Sequence, residues 1–487
     1  MRIIFVLLIY ITVILPIHAQ WNKDSSAIVI SYEDSYAPVS VKALKSCNDN
    51  TFLVWLSMNE DEAITEHMQV ISSNGYALGE CRQVGSQALV EQDVVAADID
   101  QDGNLNTIIS DSRNDGYEQY HDLFLYRYSS TGDLVSGQDG MQVELNSDNP
   151  TNVRLYCEGD SYYLTYTVYD PAQWSDVYCV SRINLDGKLM WKNDVKVLGE
   201  AVQLWPISDG FILTYIVDNV TYAQRYTSDG SPMWSSEVCL SPDYSVYKNY
   251  YGDTFVGSAD GKDGIILAYK SYDQDWNCDI LVQHINKDGS FINFCPLVIN
   301  NANNVTSFIS SAVDGDIYFA YENSEYDNHN VFVAKISPEG NYLWNEPKTL
   351  DGAESSSTPL SIHKLGDGRL FVVYTKGDSW VDGNLCAGVM SEEGDVEWKK
   401  VICNSKGNCY NVIYGDDAAY IYWAESNNKT VSAARIYYDG SFTHTGTGIG
   451  DIRLTDDMNA IYNTSGMRVG DSWHGIVIKN GKKYLKR

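Results

Sequence analysis

The chain has 487 residues, 44% hydrophobic and 12% aromatic, with 65 acidic against 34 basic side chains and a formal charge of −31. That length buries a large core, and ten thinly spread cysteines do not make a disulfide scaffold. So acidic a body repels nucleic acid and anionic membranes, keeps itself soluble and attracts cations.

The first element is MRIIFVLLIYITVILPIHAQ. Arg2 precedes an apolar run through Leu15, and Ala19 offers a small residue at a cleavage site. This is the plan of a signal peptide over residues 1–19, and the run is too short for a stable membrane span. No cysteine follows it to carry a lipid, and no later stretch reaches ~18 apolar residues, so no transmembrane segment is expected. The expected location is outside the cell, secreted or on the outer surface.

From residue 20 to 455 the chain repeats itself. Tight acidic turns close on Gly75, Gly132, Gly187, Gly230, Gly289, Gly340, Gly394 and Gly440, with a loose period of roughly 52 residues. The residue four before each glycine is apolar every time: Ile71, Tyr128, Ile183, Tyr226, Ile285, Ile336, Met390 and Ile436. Upstream lies a second run rich in Tyr, Val and Ile, as in YYLTYTVYD (162–170) and LFVVYTKGD (370–378), which suits a buried strand. A short strand precedes each run and another follows each turn. No segment holds a helical period over a dozen residues. Four-stranded units repeated eight times predict an all-β, eight-bladed β-propeller, with Ser26–Ser31 available as a closing strand for the last blade.

Four turns carry a tryptophan four residues after the glycine: Trp191, Trp234, Trp344 and Trp398. The expectation is that it starts the outer strand and wedges against the neighbouring blade, while Ser136, Asn293 and His444 show the wedge to be optional. This glycine–tryptophan spacing resembles the docking motif of quinoprotein-like propellers, which commonly have eight blades. The resemblance covers the turns and implies architecture alone; neither a quinone nor a nicotinamide is expected. Basic residues stand five before six of the glycines: Arg127, Arg182, Arg225, His284, Lys335 and Arg435. They are expected to pair with acids ending neighbouring strands, such as Asp170, Asp218 or Glu322.

The most specific local motif is DIDQDGNLN, where Asp98, Asp100, Asp102 and Asn106 follow D-x-D-x-D-G-x-x-[DN]. Alternating oxygen side chains on a tight loop suit a hard cation. Its context, VAADIDQDGNLNTII, resembles the strand–loop–strand calcium site of FG-GAP propeller repeats. The resemblance implies a structural calcium ion on these four residues.

No cysteine pair or Cys/His cluster has zinc spacing; Cys403 with Cys409, and Cys278 with Cys295, are the pairs placed to close a loop or flank a hairpin. No HExxH, GxSxG or phosphate-binding loop occurs, so no positive sign of catalysis exists. The aromatic complement, 36 tyrosines and 12 tryptophans, is rich, and part of it falls in loops. Tyr117 and Tyr120 stand in RNDGYEQYHD, Trp174 in YDPAQWSD, Tyr244, Tyr247, Tyr250 and Tyr251 in SPDYSVYKNYYGD, and Tyr326 in ENSEYDNHN. Aromatic faces on a propeller rim stack on sugars or grip a protein at low entropic cost. The expected function is a binding or adhesion module for a glycan or protein. A hydrolase or lyase with carboxylates in the channel is the alternative, and a structural surface component the third reading.

The last 32 residues, 456–487, carry six basic against three acidic side chains, opposite to the body. They read AIYNTSGMRVGDSWHGIVIKNGKKYLKR from residue 460. The positions Ile461, Tyr462, Asn463, Gly466 and Val469, then Gly475, Ile476, Ile478, Asn480, Gly481, Lys482 and Lys483, resemble the end of type IX secretion sorting domains of Bacteroidetes. That resemblance implies the type IX machinery as a partner and outer-membrane passage through this tail.

Overall fold

A computed structural model of the chain describes residues 28–31, 40–46, 50–58, 64–73, 75, 77–85, 92–111, 113, 122–172, 174–248, 254–272, 278–291, 297–299, 302–310, 316–325, 328–351, 357–378, 382–403, 408–425, 430–442, 462–463, 475–479 and 482–486. The signal-peptide segment 1–19 lies outside them. Every regular element is a strand, and no helix is long and apolar enough to cross a membrane among the described residues.

The repeat folds as expected. Eight four-stranded antiparallel sheets follow one another along the chain. Blade 3 shows the plan: Thr151–Glu158, Ser161–Asp170, Ser175–Asn184 and Val195–Val197, paired in sequence order. Its second strand is buried over Ser161–Thr167 because neighbouring blades cover both of its faces. A run rich in aromatic and β-branched residues, apolar on both sides, suits that position. Blade 8 closes the ring. Asn408–Tyr414, Ala418–Glu425 and Thr430–Tyr437 supply three strands, and the N-terminal Ile28–Ser31 pairs with the last as the fourth. The closing strand therefore completes blade 8, and the count is eight.

Eight hydrophobic clusters fill the eight seams, one between each pair of neighbours. The seam that completes the circle packs Leu53 and Trp55 of blade 1 against Tyr422 and Val431 of blade 8. The seams are also tied by a repeated polar contact. The indole N–H of Trp191 donates to Ser228 O, Trp234 to Lys287 O, Trp344 to Glu392 O and Trp398 to Tyr438 O, at 2.9–3.3 Å. Each acceptor is the residue two before the next blade's turn glycine. Asn50 and His284 reach the same carbonyl, at Ser130 and Pro338, where their blades lack the tryptophan.

The turn glycine answers two demands at once. All eight have positive φ, between 77° and 90°, which costs a side-chain-bearing residue about 1–2 kcal/mol. A Cβ on Gly289, Gly394 or Gly440 would also meet the preceding blade's indole at 3.1–3.2 Å. The wedge is thus tryptophan against glycine. One expectation needs correcting: Trp191, Trp234 and Trp344 precede the outer strands, which begin at Val195, Val238 and Lys348. Their N–H bonds hold them against the next blade, and only Trp398 lies within a strand.

The chain divides into two compact units, Met1–Phe442 and Thr443–Arg487. In the second, Tyr462–Asn463, Gly475–Lys479 and Lys482–Lys486 form a three-stranded antiparallel sheet, with Lys479 opposite Lys482. Gly475 and Lys482 begin strands, and Gly466, Asn480 and Gly481 lie outside the described residues.

Replacing Trp344, which is 7% exposed, separates the two parts of the lock. Trp344→Phe loses the N–H bond and is expected to lower unfolding free energy by about 1 kcal/mol. Trp344→Ala also opens a cavity and is expected to cost about 3–5 kcal/mol. Urea unfolding of the two variants checks both values.

Candidate functional site

Antiparallel four-stranded blades sort their connections between two faces of the ring. The turns joining first to second and third to fourth strands lie on one face. The second-to-third hairpins and the connectors between blades lie on the other. Both groups of residues singled out in the sequence fall cleanly into this division.

DIDQDGNLN is the first turn of blade 2, between Gln92–Ile99 and Leu105–Asp111. Asp100 folds the turn around its own carboxylate. Oδ1 accepts the N–H groups of Asp102 at 3.0 Å and Asn104 at 2.9 Å, and Oδ2 accepts Arg127 Nη2 at 3.2 Å. Asn106 Oδ1 accepts Arg127 Nε at 3.1 Å and the Tyr162 hydroxyl at 2.7 Å. Asp98 accepts Cys157 N of blade 3 at 2.8 Å. Asp102 is exposed. The structure therefore brings Asp100 and Asn106 together around a guanidinium, with Asp98 paired opposite Asn106 and both side chains meeting Cys157. Among the described residues no three acidic, His or Cys side chains are grouped to hold a metal ion, and the Asp100 carboxylate is held by Arg127.

The same first-turn acid recurs with the same partner. Arg225 binds Asp209 at 2.7 Å, His284 Nε2 lies 2.9 Å from Asp260, and Lys335 lies 3.5 Å from Asp316. The basic positions do pair with acids, but not with Asp170, Asp218 or Glu322. Those acids lie toward or past the far end of the second strand, whereas register places Arg127 opposite Asn106, beside the first turn. Arg182 instead donates to Ser161 Oγ and, across the seam, to Ser228 O. Arg127, Arg182, Arg225, His284 and Lys335 thus serve as internal partners rather than as a ring for an anion.

These contacts set the titration of the acids. Burial opposes ionisation of Asp100, but hydrogen bonds from Asn104, Asn106 and Arg127 outweigh it and hold the carboxyl below its ordinary range. Burial likewise opposes ionisation of Asp260 and Asp351, which are held low by His284 with backbone N–H groups and by Lys399 with Lys376 and Tyr374. Their pKa values are lower folded than unfolded. Below about pH 4 the unfolded chain binds more protons, so the stability these acids contribute is present above that pH and is lost as pH falls. Asp100→Asn is expected to flatten this loss between pH 5 and pH 3 in urea titrations. The wild type is expected to melt at one temperature in calcium and in EDTA, whereas Arg127→Met, freeing the Asp100 carboxylate, is expected to gain stability from calcium.

The described aromatic residues of these loops, Trp174, Tyr244 and Tyr247, stand on connections of the other face. The residues 112–121 and 326–327 and the Trp174 hairpin join second to third strands, and 241–253 connects blades 4 and 5. Trp174 is 81% exposed and has φ 53°, a left-handed conformation that few tryptophans adopt. Tyr169, on the strand leading into the same hairpin, is 54% exposed. Tyr247 is 39% exposed and meets Tyr272 edge-on with centroids 5.9 Å apart. Tyr244 packs instead against the core of the seam between blades 4 and 5. Tyr117, Tyr120, Tyr250, Tyr251 and Tyr326 lie outside the described residues. At the root of the 112–121 loop, Arg113 is clamped by Asp111, donates to the Tyr126 hydroxyl at 2.8 Å and lies 3.7 Å above the Phe124 ring.

Cys278 carries a free thiol, so it forms no bridge to Cys295; Cys295 and the side chain of Cys409 lie outside the described residues.

No family model matches the chain, and no curated protein matches it. Solved structures match the ring. The Dos1 propeller covers 86% of this chain and 94% of its own, at 9% identity and a TM-score of 0.48. The propeller domain of the Trilobed protease from Pyrococcus furiosus covers 76% and 98%, at 11% and 0.39. A polysaccharide lyase, an ulvan lyase, covers 86% and 98%, at 9% and 0.43. These likenesses concern the propeller fold and reach no residue of the site.

Proposed function

We propose that this propeller is a binding module of the cell exterior, which holds a glycan on the face that carries the second-to-third hairpins. The observation that carries the reading is Trp174. A large aromatic ring 81% exposed, on a hairpin fixed by the hydrogen bond from Ala172 N to Asp170 Oδ1 at 2.8 Å, offers a flat amphipathic face to a ligand. Tyr169, 54% exposed on the strand leading into the hairpin, is a second open ring, and flat rings suit the C–H faces of sugars. Exposed aromatic rings on hairpins held by a rigid sheet ring are how a pre-organised binding surface is built.

The signal peptide and the basic tail are the route by which such a module leaves the cell. Export by residues 1–19 and passage by the type IX machinery through Gly466, Gly475, Asn480, Gly481 and Lys482 belong to the same proposal. Its location is then the outer surface or the medium.

Trp174→Ala is expected to weaken retention of the full chain on insoluble polysaccharide at least tenfold, with an unchanged melting temperature. Unchanged retention on every polysaccharide bound by the wild type would overturn the role of this ring. Release of new sugar ends would replace the binding module with an enzyme.

A further inference from the structure

The hairpins on the face that carries Trp174 are of unequal height. In blade 3 the second and third strands pair over ten residues, Ser161–Asp170 with Ser175–Asn184, and the hairpin runs on through Pro171, Ala172 and Trp174. In blade 4 the equivalent ladder, Gly210–Val217 with Val220–Thr227, stops after eight pairs. Both ladders start level, because Asn184 and Thr227 each stand three before their turn glycine. Asp218 and Asn219, with φ 50° and 61°, close blade 4 in a two-residue turn. At one strand rise per residue, the blade-3 hairpin stands about 7 Å above its neighbour.

That step decides which side chains are covered. Tyr163, Thr165, Thr167 and Tyr169 alternate onto one side of their strand. Tyr163 packs against Phe211 of blade 4, with centroids 5.1 Å apart, so this side faces blade 4. Thr167, in the seventh pair, is buried, whereas Tyr169, in the ninth, is 54% exposed. The ladder that would cover it has ended. Asp176 lies opposite Tyr169, is exposed, and makes no hydrogen bond or ion pair with a described residue. Two pairs lower, the chain crosses from Val197, paired with Tyr178, to Glu200, paired with Ile216 of blade 4. Gly199 lays this crossing flat, since a Cβ there would meet Ile216 O at 2.8 Å. Leu198 beside it is 57% exposed. The step thus has an aromatic wall and an apolar floor. Its far edge, the Asp218–Asn219 turn, is held by the connector to blade 5, whose Val246 N donates to Asn219 O at 2.8 Å.

Charge narrows what fits. The two hairpin tips and the crossing, residues 169–176, 217–220 and 197–201, hold Asp170, Asp176, Asp218 and Glu200 and no basic residue. Carboxylated or sulfated chains are repelled there. The aromatic and aliphatic surface accepts the C–H faces of an uncharged sugar, and Asp176 accepts hydrogen bonds from its hydroxyls. A wall and a floor gather contact along a polymer rather than around a single ring. We infer that this step is the seat of the glycan, and that it takes an uncharged polysaccharide chain along Tyr169 and Leu198. This rests on the glycan-binding reading above and names its place and its substrate class.

The test uses the full chain and affinity electrophoresis in gels holding xyloglucan, galactomannan, mixed-linkage glucan, polygalacturonate or alginate. Retardation by at least one of the three uncharged polymers, and by neither anionic one, is expected. Tyr169→Ala and Leu198→Ser are each expected to weaken that binding about fivefold, with an unchanged melting temperature. Met190→Ser, which removes a side chain 51% exposed beside a glycine turn, is expected to change nothing. Lengthening the blade-4 hairpin by two pairs at Asp218–Asn219 raises it level with blade 3 and is expected to abolish binding. Equal retardation by an anionic polymer would overturn the step while leaving the glycan reading in place. So would Tyr169→Ala and Leu198→Ser without effect where Trp174→Ala weakens binding. Binding of no polymer in the set would overturn both readings.

Discussion

The fold depends on one backbone oxygen repeated around the ring. In six blades the carbonyl two residues before the turn glycine accepts a hydrogen bond from the preceding blade, through tryptophan, arginine, asparagine or histidine. Ser228 O and Lys287 O each take two, from Trp191 with Arg182 and from Trp234 with Arg225. A carbonyl has two lone pairs, and both are used there. The hydrophobic seams supply most of the free energy but little direction, since apolar contact is non-directional. The carbonyl fixes how far one blade is rotated on the next. Repeated around the ring, that step closes eight sheets on a strand from the other end of the chain.

A ring closed in this way leaves its faces free to differ. The glycine-turn face is occupied with internal pairing: acids at the first turns meet basic side chains from the third strands. Their charges are spent on the fold. Connectors and hairpins on the opposite face carry longer, more varied segments and the exposed rings of Trp174, Tyr169 and Tyr247. The sheet scaffold can hold those rings in place without depending on them, which is why function is assigned to that face.

Much of the architecture was legible because its signals are local. Positive φ demands glycine, so eight turn glycines marked eight blades, and strand period and turn residues gave the four-stranded unit. The lock itself was half visible. Tryptophan announces its side of the bond, but its partner is a main-chain oxygen on Ser, Lys, Glu or Tyr, which no side-chain pattern can reveal. The Asp100 loop was half visible for a related reason. Spacing showed four oxygen donors on nine residues, while the guanidinium that answers them arrives from Arg127, on another strand. Tyr169 was hidden in YYLTYTVYD, where Tyr162, Tyr163 and Tyr166 are core residues. Only the end of the strand, past the cover of the next blade, turns the same residue type outward.

Hydrogen exchange of the full chain, measured with and without a saturating oligosaccharide of a polysaccharide that retains it, tests most directly the division of labour between the two faces. Protection confined to peptides spanning Tyr169, the Trp174 hairpin and the crossing at Leu198 is the result this account predicts. Protection at the Asp100 turn or the glycine turns, with the Trp174 hairpin unchanged, would contradict it.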